Sequence, residues 1–478
     1  MILGPVAVDP AITPQIPPLR TGYIWWLAIS AALGGLLFGY DWVVIGGARQ
    51  FYELYFHLDS PTLIGWANSC ALLGCLLGSL AAGYFAEQYG RRPVLFVSAA
   101  LFAVSSAFTG WAFSFNSFIA WRIVGGIAIG LASNVSPLYI AEISPAALRG
   151  RLVSLNQFAI VTGILLAQIV NWILARPVTS GLSSSALFQS WNVQYGWRWM
   201  FTAVIAPAVF FAFASAFLPE SPRWLVNRDR RLDASIVLQR IGGKAYASSE
   251  LTNIERLLNT QVKSSSWKEL LHPGIRRILF VGIALAVLQQ WTGINILFNY
   301  AAEIYRSAGY NSNSIFLNIV ITGSINLIFT ILAMFLVDSL GRRRLMLAGC
   351  IGIAISHLLC AWAYTHGKLG TPVLVLTLSA IGCYALTLAP VTWVLVSEIF
   401  PNRVRSRGIA VSVSALWIAS FLLTYTFPFL NHRLGTGGTF VSYGIVCLAG
   451  ALFVFFGVSE TRGYSLEQIE AASSSSNH

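Results

Sequence analysis

The sequence predicts an all-helical polytopic membrane protein, and three observations carry that reading. Of 478 residues 56% are hydrophobic, only 10% are charged against about a quarter in an ordinary soluble domain, and the apolar residues fall in helix-length runs. A hydrocarbon core of about 30 Å takes about 20 helical residues per crossing, so this length holds about a dozen crossings and their loops. The composition excludes a soluble globular enzyme and a disordered scaffold. Strands of a β-barrel would read as segments of about ten residues alternating in polarity. Closed helices are then the way to satisfy backbone polar groups in lipid.

Apolar runs bounded by charged or turn residues fall at 23–47, 62–86, 93–113, 117–140, 152–175, 199–218, 277–300, 313–337, 345–364, 371–397, 408–430 and 439–457, which predicts twelve transmembrane helices. Residues 1–22 are rich in Pro, with no early positive charge or cleavage site, and read as a disordered tail ahead of an uncleaved first helix. Residues 23–218 form a first six-helix half and 275–457 a second. Between them, 219–274 reads as a linker with short helices, because DASIVLQRIGG and SSELTNIERLLN carry helical apolar spacing. The stretch near 176–197 reads as a moderately long Ser-rich loop, 458–478 as a C-terminal tail, and the Ser-rich part of that tail after 465 is expected to be mobile.

Charge placement sets the orientation. Of the thirty Lys and Arg, twenty-three fall on the side of both termini, including eleven in 219–277. Arg49, Arg176, Arg198, Arg306, Lys368 and Arg433 are placed on the opposite side, and Arg122 is placed alone inside a crossing. By the positive-inside rule both termini are cytoplasmic, which requires an even number of crossings. Cys70, Cys75, Cys350, Cys360, Cys383 and Cys447 all fall in apolar runs without a CxxC, so they read as small apolar helix residues and no metal site is expected.

The chain repeats itself. The acidic residue, glycine and two arginines of Glu87-Gln-Tyr-Gly90-Arg91-Arg92 return as Asp338-Ser-Leu-Gly341-Arg342-Arg343. Glu142-Ile-Ser-Pro145 through Arg149 returns as Glu398-Ile-Phe-Pro401 through Arg405, and Pro219-Glu220-Ser221 as Ser459-Glu460-Thr461. Three ordered matches at nearly one spacing mark two homologous halves. Six crossings return the chain to its starting side, so the halves run parallel and can rock about a central site.

These turns, together with Pro219-Glu-Ser-Pro-Arg223-Trp, Gln289-Gln290-x2-Gly293-Ile-Asn295 and Ser459-Glu-Thr-Arg-Gly463, resemble the sugar porter family of the major facilitator superfamily, in particular its bacterial proton-coupled monosaccharide symporters. The likeness runs from about Leu33 to Gly463. It implies the major facilitator fold and a secondary transporter that couples inward proton flow to uptake of a hexose or pentose.

Asp41 lies deep in the first run, where a carboxylate costs about 2.5 to 3.5 kcal/mol. One reading is a charge near the outer end that reaches water; Asp is too short to snorkel far. The other is a proton carrier: desolvation favours the neutral acid and a nearby cation the carboxylate, so motion relative to Arg122 would load and release a proton. The resemblance implies an Asp and an Arg at these positions in symporters and a neutral residue for the Asp in uniporters. A sugar site calls for amides that both donate and accept, plus aromatic faces. Gln157, Gln289, Gln290, Asn295 and Asn326 read as buried amides within crossings, each open to the alternative of a helix-to-helix hydrogen bond. Gly293 is expected to interrupt its helix. The resemblance assigns sugar binding to Gln157, Gln289, Gln290, Asn295, Asn326, Trp393 and Trp417. Two departures stand out: Asn299 where many relatives have an aromatic, and Leu416 where an amide often precedes the tryptophan. Both lie at the pocket, so a different sugar preference or weaker affinity is expected.

Glu87, Arg91, Arg92, Glu142, Arg149 and Glu220, with Asp338, Arg342, Arg343, Glu398, Arg405 and Glu460, resemble the family's cytoplasmic charge latch of the outward-facing state. The plainer reading is topology signals and ion pairs of little individual worth. His357 reads as a bonded packing residue. No Walker loop, HExxH, nucleophile elbow or dinucleotide fingerprint is present, so neither an enzyme nor an ATP-driven pump is expected, and no cofactor. The expected partners are a monosaccharide, a proton and the lipid bilayer, with no nucleic acid, and the protein is expected to act as a monomer. Short tails favour a bacterial inner membrane. The competing readings are a proton-independent facilitator, a polyol carrier and a sugar receptor.

Overall fold

The computed structural model describes residues 19–177, 184–260, 267–401, 404–458 and 460. The expected N-terminal tail lies largely outside the described residues, as does nearly all of the expected C-terminal tail. Every regular element among the described residues is helical. The first half holds α1 (Thr21–Tyr55), α2 (Pro61–Tyr89), α3 (Arg91–Gly110), α4 (Phe115–Ile143), α5 (Arg149–Leu174), the short α6 (Ser184–Phe188), α7 (Trp197–Thr202) and α8 (Ile205–Phe217). The linker holds α9 (Pro222–Asn227) and α10 (Arg231–Thr260), which kinks at Gly242 and Gly243. The second half holds α11 (Pro273–Trp291), α12 (Ile294–Asn299), α13 (Ala301–Ser307), α14 (Ser312–Leu340), α15 (Arg342–Thr365), α16 (Thr371–Leu386), α17 (Leu388–Glu398) and α18 (Arg405–Gly457).

Eleven stretches among the described residues are long and apolar enough to cross a membrane. The last, α18, has 53 residues and turns back at Gly435, where φ is 68°, so it supplies two crossings and the total is twelve. Helix starts follow the local chemistry. Ser60 with Pro61 opens α2, Ser114 opens α4 and Asn311 opens α14, each side chain accepting an N–H from the first turn. The first crossing outruns its apolar run by two turns, because Arg49 and Glu53 pair along the helix instead of ending it.

Buried apolar residues form one large cluster mostly in the first half and another mostly in the second. Small residues let helices within a half approach closely: a Cβ on Gly126 of α4 would collide with the carbonyl of Ala71 in α2. The linker packs on the first half through Leu225, Leu238 and Ile241, and the carbonyl of Ile241 accepts from the N–H of Arg20 at 2.8 Å. The face carrying the α2–α3 and α14–α15 turns is called the basic face below.

Candidate transport site

Asp41 of α1 and Arg122 of α4 meet in the interior of the first half. One guanidinium nitrogen donates to both carboxylate oxygens, at 2.9 and 3.0 Å, and the residues are 3% and 4% exposed. The guanidinium also lies 5.3 Å from the Phe201 ring centre. A charge buried at membrane depth is tolerated where it is paired, and an unpaired partner would be strongly destabilising.

The amides of the second half gather where a crossing breaks. Gly293 takes a φ of 80° between α11 and α12, and a Cβ there would stand 2.7 Å from the Tyr443 ring. We expect Gly293→Ala to cost at least about 1–2 kcal/mol from the backbone alone, read as a lower Tm of the detergent-solubilised protein. Around the break Gln290 donates to Gln289 at 3.0 Å, and Asn295 donates to Gln290 at 2.5 Å. His357 is buried against Phe440 and Tyr443, with a ring nitrogen 2.8 Å from the carbonyl of Thr292, the packing role expected of it. Asn326 of α14 is buried. Trp417 is buried with Phe38 and Trp42 of α1, ring centres 6.0 Å away, and its indole nitrogen has no protein partner.

Other expected positions differ. Gln157 is only half-buried; the buried amide on that turn of α5 is Asn156, against Gly35. Successive helix positions point about 100° apart, and on this turn of α5 it is Asn156 that takes the inner position. Trp393 is 42% exposed. Asn299 ends α12 beside Gly46 of α1, where a Cβ on Gly46 would be 2.5 Å from the Phe298 carbonyl.

The expectation that Arg122 is the one cation inside a crossing is corrected. Arg49, assigned to the far side, is buried in α1 and bridges the halves. It lies 2.5 Å from Glu53, 2.6 Å from Glu303 of α13 and 4.2 Å from the Tyr300 ring centre. Arg306 donates to Gln50, and Asn431 to Glu303. Arg198 is also buried, donating to the carbonyls of Gly110 and Ala112. Both arginines are covered because their helices outrun the apolar runs. Two pairs of charged residues were the available signal, Arg49 with Glu53 at helical spacing and Glu303 with Arg306. Gln50, Glu53 and Arg306 of this cluster, with Arg176 among others, line a cavity of about 640 Å³.

At the basic face the repeat recurs in contacts. Arg91 donates to both oxygens of Glu142 at 2.8 Å, and Arg342 lies 3.5 Å from Glu398. Glu220 accepts the N–H groups of Arg91, at 2.9 Å, and Arg92, at the start of α3. Glu460 does the same for Arg342, at 2.9 Å, and Arg343, at the start of α15. Burial raises the Glu220 carboxyl above its ordinary range, opposed by those amides. The side chains of Arg92, Arg149, Arg343 and Arg405 donate to backbone carbonyls at nearby helix ends. Glu87 is exposed, and its carbonyl accepts from Trp224 and Arg228. The Asp338 side chain lies outside the described ones. The ion pairs named here each join helices of one half.

Two similar six-helix halves, one with amides gathered at a broken crossing and the other with a buried acid–base pair, define a polytopic carrier. The model of the sugar (and other) transporter family matches residues 27–472. The chain is 36% identical over 483 residues to the D-xylose-proton symporter of Escherichia coli (strain K12), covering 95% of this chain and 96% of that one. It is 34% identical over 463 residues to the arabinose-proton symporter of Bacillus subtilis (strain 168), covering 96% and 97%. Its fold matches the xylose transporter XylE from E. coli in a partially occluded inward open conformation, with a TM-score of 0.82, 34% identity and coverage of 93% of this chain and 100% of that one. The chain belongs to the sugar (and other) transporter family.

Proposed function

We propose that Asp41 carries a proton against Arg122 while the amides around Gly293 bind a monosaccharide. The chain is a proton-coupled sugar symporter working by alternating access, not an enzyme. The observation that carries the reading is the buried Asp41–Arg122 pair, a titratable group where the membrane field acts on its charge. Each proton entering supplies about 2.3 kcal/mol per 100 mV, and tenfold accumulation of a neutral sugar takes about 1.4 kcal/mol. A facilitator would not need the acid. Uptake of a sugar panel into proteoliposomes with and without a pH gradient tests this: gradient-driven accumulation supports symport, and gradient-independent equilibration contradicts it.

The basic face is the cytoplasmic side, with both termini on it, in a bacterial inner membrane, and the unit works as a monomer. Its halves, 23–218 and 275–457, rock about the site. Arg49–Glu303 and the approach of Gly46 to α12 close the outer side here, the geometry expected of an inward-facing carrier. The basic-face charges hold helix ends now and lock the halves together when that side closes. Glu398→Lys is therefore expected to lower uptake at unchanged expression; full uptake would remove the latch role. Hexoses and pentoses are the substrate class, and Asn299 and Leu416 set the preference among them. Restoring an aromatic and an amide, Asn299→Tyr with Leu416→Gln, is expected to change apparent sugar affinity by about tenfold, the size of one hydrogen bond or ring contact; unchanged affinity across the panel would count against it.

A further inference from the structure

Among the interior polar atoms that lack a protein partner are Oδ1 of Asn68, Nε of Arg122 and Oδ1 of Asn299. All three residues are 4% exposed and line one small cavity of about 10 Å³ whose other walls include Trp42, Ile45 and Leu72. That volume accommodates about one water. Asn68 already uses its Nδ2 as a donor to the carbonyl of Ile64 at 2.8 Å, which leaves Oδ1 as its free acceptor. Arg122 spends another nitrogen on both oxygens of Asp41, which leaves the Nε–H as a donor. One donor and two acceptors match a water that accepts once and donates twice, about the three bonds a buried water typically makes. Leaving three buried polar atoms unmet would be costly.

We propose that Asn68, Arg122 and Asn299 hold a buried water that fastens α12 to the Asp41–Arg122 pair, making Asn299 a positioning residue for proton coupling. The three side chains come from α2, α4 and α12, so the water links the first half, which holds the proton site, to the second, whose α12 lies on α1 when the outer side is closed. The bridge forms only in that closed state and holds the guanidinium in register with the Asp41 carboxylate. Losing it loosens Arg122 and lets Asp41 keep its proton to higher pH. The titratable groups around the pair are Tyr40 and Tyr52 of α1 and Cys70 and Cys75 of α2, none charged at neutral pH in its ordinary range.

The inference rests on Asp41 as the proton carrier, so Asp41→Asn accompanies the test. Asn68→Leu, Asn299→Leu and the double variant are reconstituted, and the pH midpoint of gradient-driven sugar uptake is measured for each, with sugar exchange by Asn68→Leu as the folding control. Each single variant is expected to shift the midpoint upward by about half to one pH unit. Sharing one water, the double variant is expected to shift no further than the larger single. Unmoved midpoints, or shifts that add, would overturn the bridge while leaving the proton reading intact. Accumulation surviving in Asp41→Asn would instead overturn the proton reading and, with it, the bridge. A structure of the protein at atomic detail is expected to show one water within reach of all three atoms; direct contact between them without one contradicts the proposal.

Discussion

Replacing Asp41 with Asn is expected to abolish sugar accumulation and preserve sugar exchange. The amide keeps the shape of the carboxyl and can still accept from Arg122, but it cannot bind and release a proton. At 100 mV one coupled proton supports about fortyfold accumulation of a neutral sugar, so the ratio of inside to outside sugar is expected to fall from that order to one. Exchange needs only the loaded carrier to cross in both directions, and Asn resembles the protonated acid that the loaded form carries. Counterflow of labelled sugar is therefore expected to persist in the variant. Loss of exchange together with accumulation would assign Asp41 to structure, since Arg122 would then be a buried cation that the fold cannot tolerate.

Arg49→Leu is expected to open the outer side. Arg49 is buried and lies between Glu53 of its own helix and Glu303 of α13, so its removal leaves two carboxylates close together and takes away the ion pair that joins the halves. Removing one partner of a buried pair costs about 3–5 kcal/mol, which corresponds to a shift of about two to four orders of magnitude between closed and open outer states. Spin labels at Leu54 and Ser307, exposed positions in opposite halves, are expected to report a longer distance in the variant, with sugar-driven return to the wild-type value slowed. An unchanged distance distribution would mean that the packing of Gly46 and Phe51 against the second half holds the outer side alone.

Much of this was legible in the chain because the deciding interactions are local or repeated. Twelve apolar runs become twelve crossings, the glycine at 293 breaks its helix as its surroundings demand, and the recurring Gly–Arg–Arg and Glu–Pro–Arg turns return as matching contacts at one face. The cost of Asp41 in lipid pointed to a partner, and Arg122 stood out as an unpaired cation. What stayed hidden depends on distance along the chain. Arg49 looks like a loop residue until Glu303, far off in the second half, arrives beside it. Gln157 looks buried until the rotation of α5 shows that its neighbour Asn156 takes the inner position. The unmet atoms of Asn68, Arg122 and Asn299 come from three helices in two halves, and their sharing of one cavity cannot be read from any one segment.

The central claim, that a proton travels inward with the sugar through Asp41, is tested most directly by adding sugar to lightly buffered, de-energised vesicles holding the wild-type protein and recording the external pH. Alkalinisation that begins with sugar addition and is lost in Asp41→Asn is the predicted result. Sugar entry without any change in external pH would contradict the account and leave the chain a facilitator.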